Sequence, residues 1–357
     1  DLLEMSSIPL LPFAADIETK PVLKKLARAH AALAELKGVV ASIPNQAILV
    51  STLPLQEAKD SSAIENIVTT EDELFSSDSA AEIFASIAAK EVHNYATALR
   101  QGFEAVVRTQ LLTINDILNI QALIEENNAG FRRLPGTALK HSGTGATVYT
   151  PPQHGDEIIA LMTNLEAFIN NDELCDWDPL VKMAVMHHQF ETIHPFYDGN
   201  GRTGRILNIL YLVKAGLLGA PVLYLSRYIS QRKAEYYALL QAVRDQAPLG
   251  NVAAAWEPWL LFMLGGVEET SRQTTALVIK IRELMAQHKR TVRAQLPKIY
   301  SQDLIDNLFK HPYTRVEFMT KDLLVHRNTA TTYLDALVGI GLLSKHKRGK
   351  ESYYLND

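Results

Sequence analysis

A chain of 357 residues with 47% hydrophobic content is long enough for roughly two or three globular domains. The formal net charge of −5 argues against a chain devoted as a whole to coating nucleic acid or anionic membrane, although one basic region can hide in that average. Its single cysteine, Cys175, rules out an internal disulfide and offers no metal-ligand spacing, so a reducing compartment, by default the cytoplasm, is expected.

The opening DLLEMSSIPLLPF carries acids where a secretory leader carries basic residues, and no apolar run approaches the ~20 residues of a membrane span, so no membrane contact is expected. Apolar residues recur at helical spacing over Val22 to Leu36, Ala80 to Leu99, Ile114 to Ile124, Asp156 to Asn170 and Pro179 to Phe190. The exception is Leu134 to Gln153, where glycines, β-branched residues and a Pro-Pro stop predict a short hairpin or flap. Helices follow from Gly199 (apolar face Ile206, Ile209, Leu210, Val213), over Gln231 to Arg244, Ala253 to Leu264, and Glu268 to about Gln295. After them, two short helical patterns, a glycine-bounded end at Gly339 and Gly341, a basic turn and a YYL strand give the order of a winged helix-turn-helix. The expected fold is therefore mainly α, with a helical region over 1–110, a core over 111–265, and a linker helix with the winged helix over 266–357.

The chemistry concentrates in HPFYDGNGRTGR, residues 194–205. Gly199 and Gly201 permit backbone conformations that let the amides around Asn200 turn inward as an anion nest at a helix start. Arg202 and Arg205 lie on the first turn of that helix and offer two forked donors to one anion, which suits a polyphosphate. Asp198 beside such a nest would repel phosphate unless a divalent cation joined them, and Mg²⁺ commonly binds through one carboxylate plus phosphate oxygens. The unperturbed pKa of a histidine, roughly 6.5, suits His194 to accept a proton from a hydroxyl near neutrality. Singly, a histidine is usually structural and a GNG usually a turn. Their joint presence within one short stretch favours a site, and its spacing is unlike that of a Walker P-loop.

The stretch resembles the signature of the Fic family, HxFx(D/E)GNGRxxR, at every specified position. The resemblance implies a helical core that moves AMP from ATP to Ser, Thr or Tyr hydroxyls of protein targets, the chain itself included. In that reading His194 is the base, Asp198 holds Mg²⁺, and Gly199, Asn200, Gly201, Arg202 and Arg205 bind ATP. The Leu134 to Gln153 segment resembles the family's flap, which aligns a target by strand addition. YISQRKAEYYALLQAVR resembles the region whose tyrosine contacts adenosine, here Tyr236, with a core aromatic as the competing explanation. Upstream, SSAIEN matches the inhibitory pattern (S/T)xxxE(G/N) at Ser61, Glu65 and Asn66, with Ser61 expected to cap a helix that projects Glu65. By resemblance Glu65 pairs with Arg205 and keeps it from the γ-phosphate.

Two alternatives stand beside AMP transfer: removal of AMP, alone or in the same enzyme, and a transcription regulator whose core senses nucleotide. Lys345, Lys347, Arg348 and Lys350 at the wing suit DNA phosphate or a protein partner, and a second copy of the chain is a further partner to consider.

Overall fold

The computed structural model of the chain describes residues 8–77, 84–140, 143–348 and 351–356. Its helices are α1 (Lys20–Ala41), α2 (Ala47–Ile64), α3 (Glu71–Ser76), α4 (Ile87–Thr109), α5 (Ile114–Glu125), α6 (Gly155–Asn170), α7 (Pro179–Ile193), α8 (Asn200–Lys214), α9 (Leu225–Gln231), α10 (Lys233–Gln246), α11 (Val252–Gln295), α12 (Gln302–Lys310), α13 (Val316–Leu323) and α14 (Arg327–Gly339). Strands among the described residues are confined to β1 (Leu139–Lys140), β2 (Thr147–Tyr149), β3 (Tyr313–Thr314), β4 (Ser344–Arg348) and β5 (Glu351–Leu355). The fold is mainly α, as the periodicity led us to expect.

Helix α7 forms the centre. Every residue from Leu180 to Ile193 is buried, because neighbouring helices cover it on all sides. Asp178 caps its start by accepting the Leu180 amide at 2.8 Å, and Pro179 occupies the first turn, where a missing N–H costs nothing. Helix α8 packs against α7 and is apolar on one side and charged at its first turn.

Two elements differ from the sequence reading. The helices expected over Ala253 to Leu264 and Glu268 to Gln295 are one helix of 44 residues, α11, so the expected boundary at 265/266 falls inside a continuous element. The reason is close packing: an added methyl on Gly266 would lie 2.9 Å from Leu225 and 3.0 Å from Tyr228. The glycines admit a neighbouring helix and do not end their own. Helix α4 starts at Ile87, where Ser86 accepts the Ala89 amide at 3.1 Å; of the earlier stretch predicted from Ala80, residues 80–83 lie outside the described residues.

Beyond α11 the order is helix, strand, two helices and a hairpin, with the strands arranged β3-β5-β4 and antiparallel, matching the element order read as a winged helix-turn-helix. Lys345 at the wing is paired with Asp335 at 2.9 Å, and Lys347 is exposed. Lys350 and the side chain of Arg348 lie outside what is described. The apolar interior falls into two clusters. The larger is built around α7 and α8; the smaller comprises Met285, Val292, Leu304, Ile305, Leu308, Met319, Leu334 and their neighbours. Ile48, on the first turn of α2, belongs to the smaller one. No described helix is long and apolar enough to cross a membrane.

Candidate active site

The junction of α7 and α8 places the motif. Helix α7 ends at Ile193, and His194 follows in a left-handed conformation, φ 49°, which for a side chain of this size is held only where surroundings impose it. Arg132 imposes it. Its Nε donates to the His194 carbonyl at 2.6 Å, its Nη2 to the Ile193 carbonyl at 3.2 Å, and its backbone N–H to the Pro195 carbonyl at 2.9 Å. A buried cation is favourable at a helix C-terminus, where carbonyls lack partners. Asn200 braces the loop by accepting the Phe196 amide and donating to the Phe196 carbonyl, both at 2.8 Å, so its side chain is committed and its backbone is what remains for a ligand. Gly199, at φ 79°, turns the chain into α8.

Electrostatics favour a neutral His194. Burial, then the cations Arg132 and Arg244, push its pKa down to about 4, with the Glu191 backbone and Glu65 opposing. Arg244 lies over the Tyr149 ring at 4.1 Å and donates to Thr192 Oγ1 and the Glu191 carbonyl, each at 3.1 Å. Buried Glu191 has an Oε1 without a hydrogen-bond partner, and burial pushes its pKa up to about 7 against the pull of Arg205.

Glu65 and Arg205 meet as the motif implied. Arg205, 2% exposed, donates through Nη2 to Glu65 Oε1 at 2.7 Å and to the Ser61 carbonyl at 3.1 Å, and through Nε to Ser61 Oγ at 2.8 Å. The Glu65 carboxylate also covers Gly201, where an added methyl would collide with it. Burial raises the Glu65 pKa, but the charge and hydrogen bond of Arg205 outweigh it and hold the group below its ordinary value. One expectation is corrected: Ser61 caps no helix start. It sits in the last turn of α2, and Glu65 is the residue that ends the helix, because Asn66 turns to φ 64°. Asn66 and the Ile64 carbonyl both accept from Lys233. A carboxylate at a helix C-terminus opposes the helix dipole, so Glu65 depends on Arg205 to stay there. About two turns earlier, buried Glu57 accepts the Ser226 amide at 3.0 Å, the Ser226 hydroxyl, and the Tyr95 hydroxyl at 3.2 Å. Its burial pushes the pKa up to about 8.

Arg202 is held differently, by Glu125 at 2.7 Å and Glu91 at 3.1 Å. Asp198 is exposed at the mouth of the turn, and its carbonyl accepts from Gln121 at 3.2 Å. A single exposed hard-oxygen donor beside phosphate-binding amides fits Mg²⁺ bound mainly by phosphate and water. The flap is a hairpin pairing Leu139 with Tyr149 and Lys140 with Thr147, and residues 141–142 lie outside those described. It is fastened to α7 by the Tyr149 hydroxyl, which donates to the Thr192 carbonyl at 3.0 Å.

Comparison with known proteins matches three stretches of the chain. Residues 23–104 match the Fic/DOC family N-terminal region, 111–212 the Fic/DOC family itself, and 284–357 the C-terminal domain of SoFic-like protein adenylyltransferase. The chain belongs to the Fic/DOC family. Curated relatives include protein adenylyltransferase Fic of Drosophila grimshawi, 32% identical over 166 residues (46% of this chain, 31% of that protein), and of Aedes aegypti, 29% identical over 140 residues (39% and 26%). The matched part thus spans less than a third of either relative. Among solved structures, a Fic family protein from Desulfovibrio desulfuricans G20 superposes with a TM-score of 0.59 at 21% identity, covering 97% of this chain and 98% of that one. Fic-1 from C. elegans gives 0.53 at 20% identity, covering 72% and 74%. At such identities the likeness concerns the fold.

Within this Fic-family core, Tyr236 is placed as an interior residue. It is 1% exposed, bonded through its hydroxyl to His187 at 2.8 Å and packed against Trp259. Its neighbour Tyr237 is 44% exposed, and the charges of Glu65 and Arg205 both act on its hydroxyl. Sequence reasoning did not single out Arg132, Arg244, Glu191, Glu91 or Glu125. Each lies outside the motif or, for Glu191, just before it, and no local spacing marks them.

Proposed function

We propose that this chain is a protein adenylyltransferase that moves AMP from ATP to a Ser, Thr or Tyr hydroxyl, restrained by its own Glu65. The observation that carries the reading is the coincidence at one helix junction of a neutral His194, a glycine-flanked anion nest, and Arg205 engaged by Glu65. The names of the curated relatives support the same reaction.

In this mechanism the α- and β-phosphates enter the turn at Gly199 to Gly201, where backbone amides and the dipole of α8 attract them. Asp198 would hold Mg²⁺, which supplies charge neutralisation on the phosphates when bound. The flap lays the target backbone along β2, whose Thr147 and Val148 are exposed, and so delivers a hydroxyl to His194. His194 takes the hydroxyl proton as the oxygen attacks the α-phosphate; the α–β bridging bond breaks and pyrophosphate leaves, with AMP bonded to the target. Arg205 must turn from Glu65 to the γ-phosphate for that geometry to form. With Glu65 and Ser61 in place its Nε and Nη2 donors are taken, and the Glu65 carboxylate lies over Gly201 where the phosphate would enter.

The test combines wild type, Glu65→Gly, and Glu65→Gly with His194→Ala, each incubated with labelled ATP and Mg²⁺, with and without cell lysate, and analysed by mass spectrometry. Freeing one transition-state donor is expected to raise AMP transfer by about a hundredfold in Glu65→Gly, and the double variant should fall below that by roughly 10²–10⁴-fold. Equal activity of wild type and Glu65→Gly would remove the restraint from this account. Absence of AMP adducts in every sample, with nucleotide bound, would overturn transfer in favour of AMP removal or a sensing role.

A further inference from the structure

The phosphate nest is covered twice. Glu65 lies over Gly201, and Glu125 lies over Gly199, where an added methyl would stand 2.6 Å from Glu125 Oε1 and 3.0 Å from its Cγ. The same Oε1 accepts from Arg202 Nη2 at 2.7 Å. Each nest glycine thus faces a carboxylate from a distant part of the chain, and each of these carboxylates holds one of the two motif arginines.

The parallel extends to how the carboxylates are presented. Glu65 ends α2 and Glu125 is the last residue of α5. Both project from helix C-termini, where the dipole disfavours negative charge and the paired arginine is the main compensation. Arg202 differs from Arg205 in having a second carboxylate, Glu91 on α4, at 3.1 Å from Nη1. Glu91 touches the guanidinium; it is Glu125 that also covers the turn.

We propose that Glu125 is a second internal restraint on nucleotide binding, acting on Arg202 and the Gly199 side of the nest independently of Glu65. Phosphate entering that half of the nest displaces the Glu125 carboxylate, and Arg202 passes from it to the phosphate. Relief of Glu65 alone therefore leaves the nest half covered. This rests on the reading of the turn as an ATP phosphate site, and it is separate from whether AMP is then transferred.

Calorimetric titration of MgATP into the 357-residue chain decides it, using wild type, Glu125→Gln, Glu65→Gly, the double variant and Glu91→Gln. Glutamine removes the charge that ties residue 125 to Arg202, so that the side chain can be displaced from Gly199, and thermal melts establish that each variant is folded. MgATP affinity is expected to rise about tenfold in Glu125→Gln, and by about a further tenfold when this change is added to Glu65→Gly, about 1.4 kcal/mol each. Glu91→Gln, which uncovers no part of the turn, should gain clearly less. Unchanged or weaker binding in the double variant relative to Glu65→Gly would overturn the proposal and make Glu125 a support for Arg202. An equal gain in Glu91→Gln would also overturn it, since the charge on Arg202 would then be the cause and covering of Gly199 would not. Binding in none of the five proteins overturns it together with the ATP site. If Glu125→Gln tightens MgATP while labelled AMP is never transferred, the transferase reading fails and this restraint stands.

Discussion

The two apolar interiors of the chain bury different kinds of polar group. Around α7 and α8 the larger one encloses His187, His188, Glu191, Arg202 and Arg205, with Glu191 Oε1 left without a partner. The smaller one encloses Asn307, which bonds to Asp322 at 2.9 Å and to Thr314 at 2.8 Å, and His288, bonded to Asn356 at 2.9 Å. Buried charge costs several kcal/mol unless it is paired, and even paired it stabilises less than well-packed apolar groups would. The smaller interior, where Arg315 is the buried arginine, is closer to what folding alone asks for. The larger one carries charges that folding does not need, and they gather where the motif lies. Helix α2 joins the two: Ile48 packs in the smaller interior, Asn45 just ahead of it bonds Asp306 at 2.9 Å, and Ser61 at its other end engages Arg205.

The sharpest break of this comparison comes from removing chemistry without removing packing. His194→Ala in the Glu65→Gly background is expected to lower labelled-AMP transfer by roughly 10²–10⁴-fold, the usual loss of a general base. Its unfolding midpoint should stay close to that of the parent. A fall in stability matching the fall in activity would mean that the larger interior is no more functional than the smaller.

Next in size is a pair of changes in the smaller interior. Ile48→Ala and Leu334→Ala each delete a buried side chain and are expected to cost about 2–5 kcal/mol in chemical denaturation. They differ in place, since only Ile48 lies on α2. If α2 is held from both ends, Ile48→Ala raises basal AMP transfer above that of Leu334→Ala at matched stability. Equal transfer in the two would reduce the joint to passive packing.

Much of this was legible in the sequence because the chemistry is contiguous: His194, Asp198, the GNG turn and both arginines come from one stretch, and α7 and α8 flank it. The pairing of Glu65 with Arg205 was legible through the inhibitory pattern alone. The course of α2 was not, because it is packed on several sides and shows no single apolar stripe, so Ser61 read as a helix start when it lies in the last turn. The length of α11 was hidden by Gly265 and Gly266, whose effect depends on the neighbouring helix. The groups that hold His194 neutral come from residues 132 and 244, and only the fold brings them to it.

Glu57 tests the comparison through pH. Its folded pKa, about 8, lies above its ordinary value of 4.5, so its contribution to stability is complete below pH 4.5 and is lost as pH rises through about 8. Glu57→Gln resembles the protonated form and can still accept the Ser226 amide. Relative to wild type it should gain about 1–3 kcal/mol of stability between pH 5 and pH 8, measured by urea unfolding at each pH. A constant difference across that range would show that Glu57 is charged in the folded chain.

The smallest expected effect is an absence of change, and it bears directly on the base. An ordinary histidine, with a pKa of roughly 6.5, would be about nine-tenths protonated at pH 5.5 and so lose about tenfold in activity there. With its pKa pushed down to about 4, His194 remains the neutral base at pH 5.5, and activity falls only as pH drops toward that value. The sign follows from the neighbours: Arg132 and Arg244 repel a proton that burial already disfavours. In Glu65→Gly the depression should deepen, because Glu65 is one of the groups that favours the protonated ring. Turnover at saturating MgATP in Glu65→Gly should therefore be level from pH 8 to pH 5.5. Arg244→Gln, which removes one of the two cations, should move the acid limb upward, and a limb already at the ordinary histidine position in Glu65→Gly would show that the two arginines hold the loop without tuning the base.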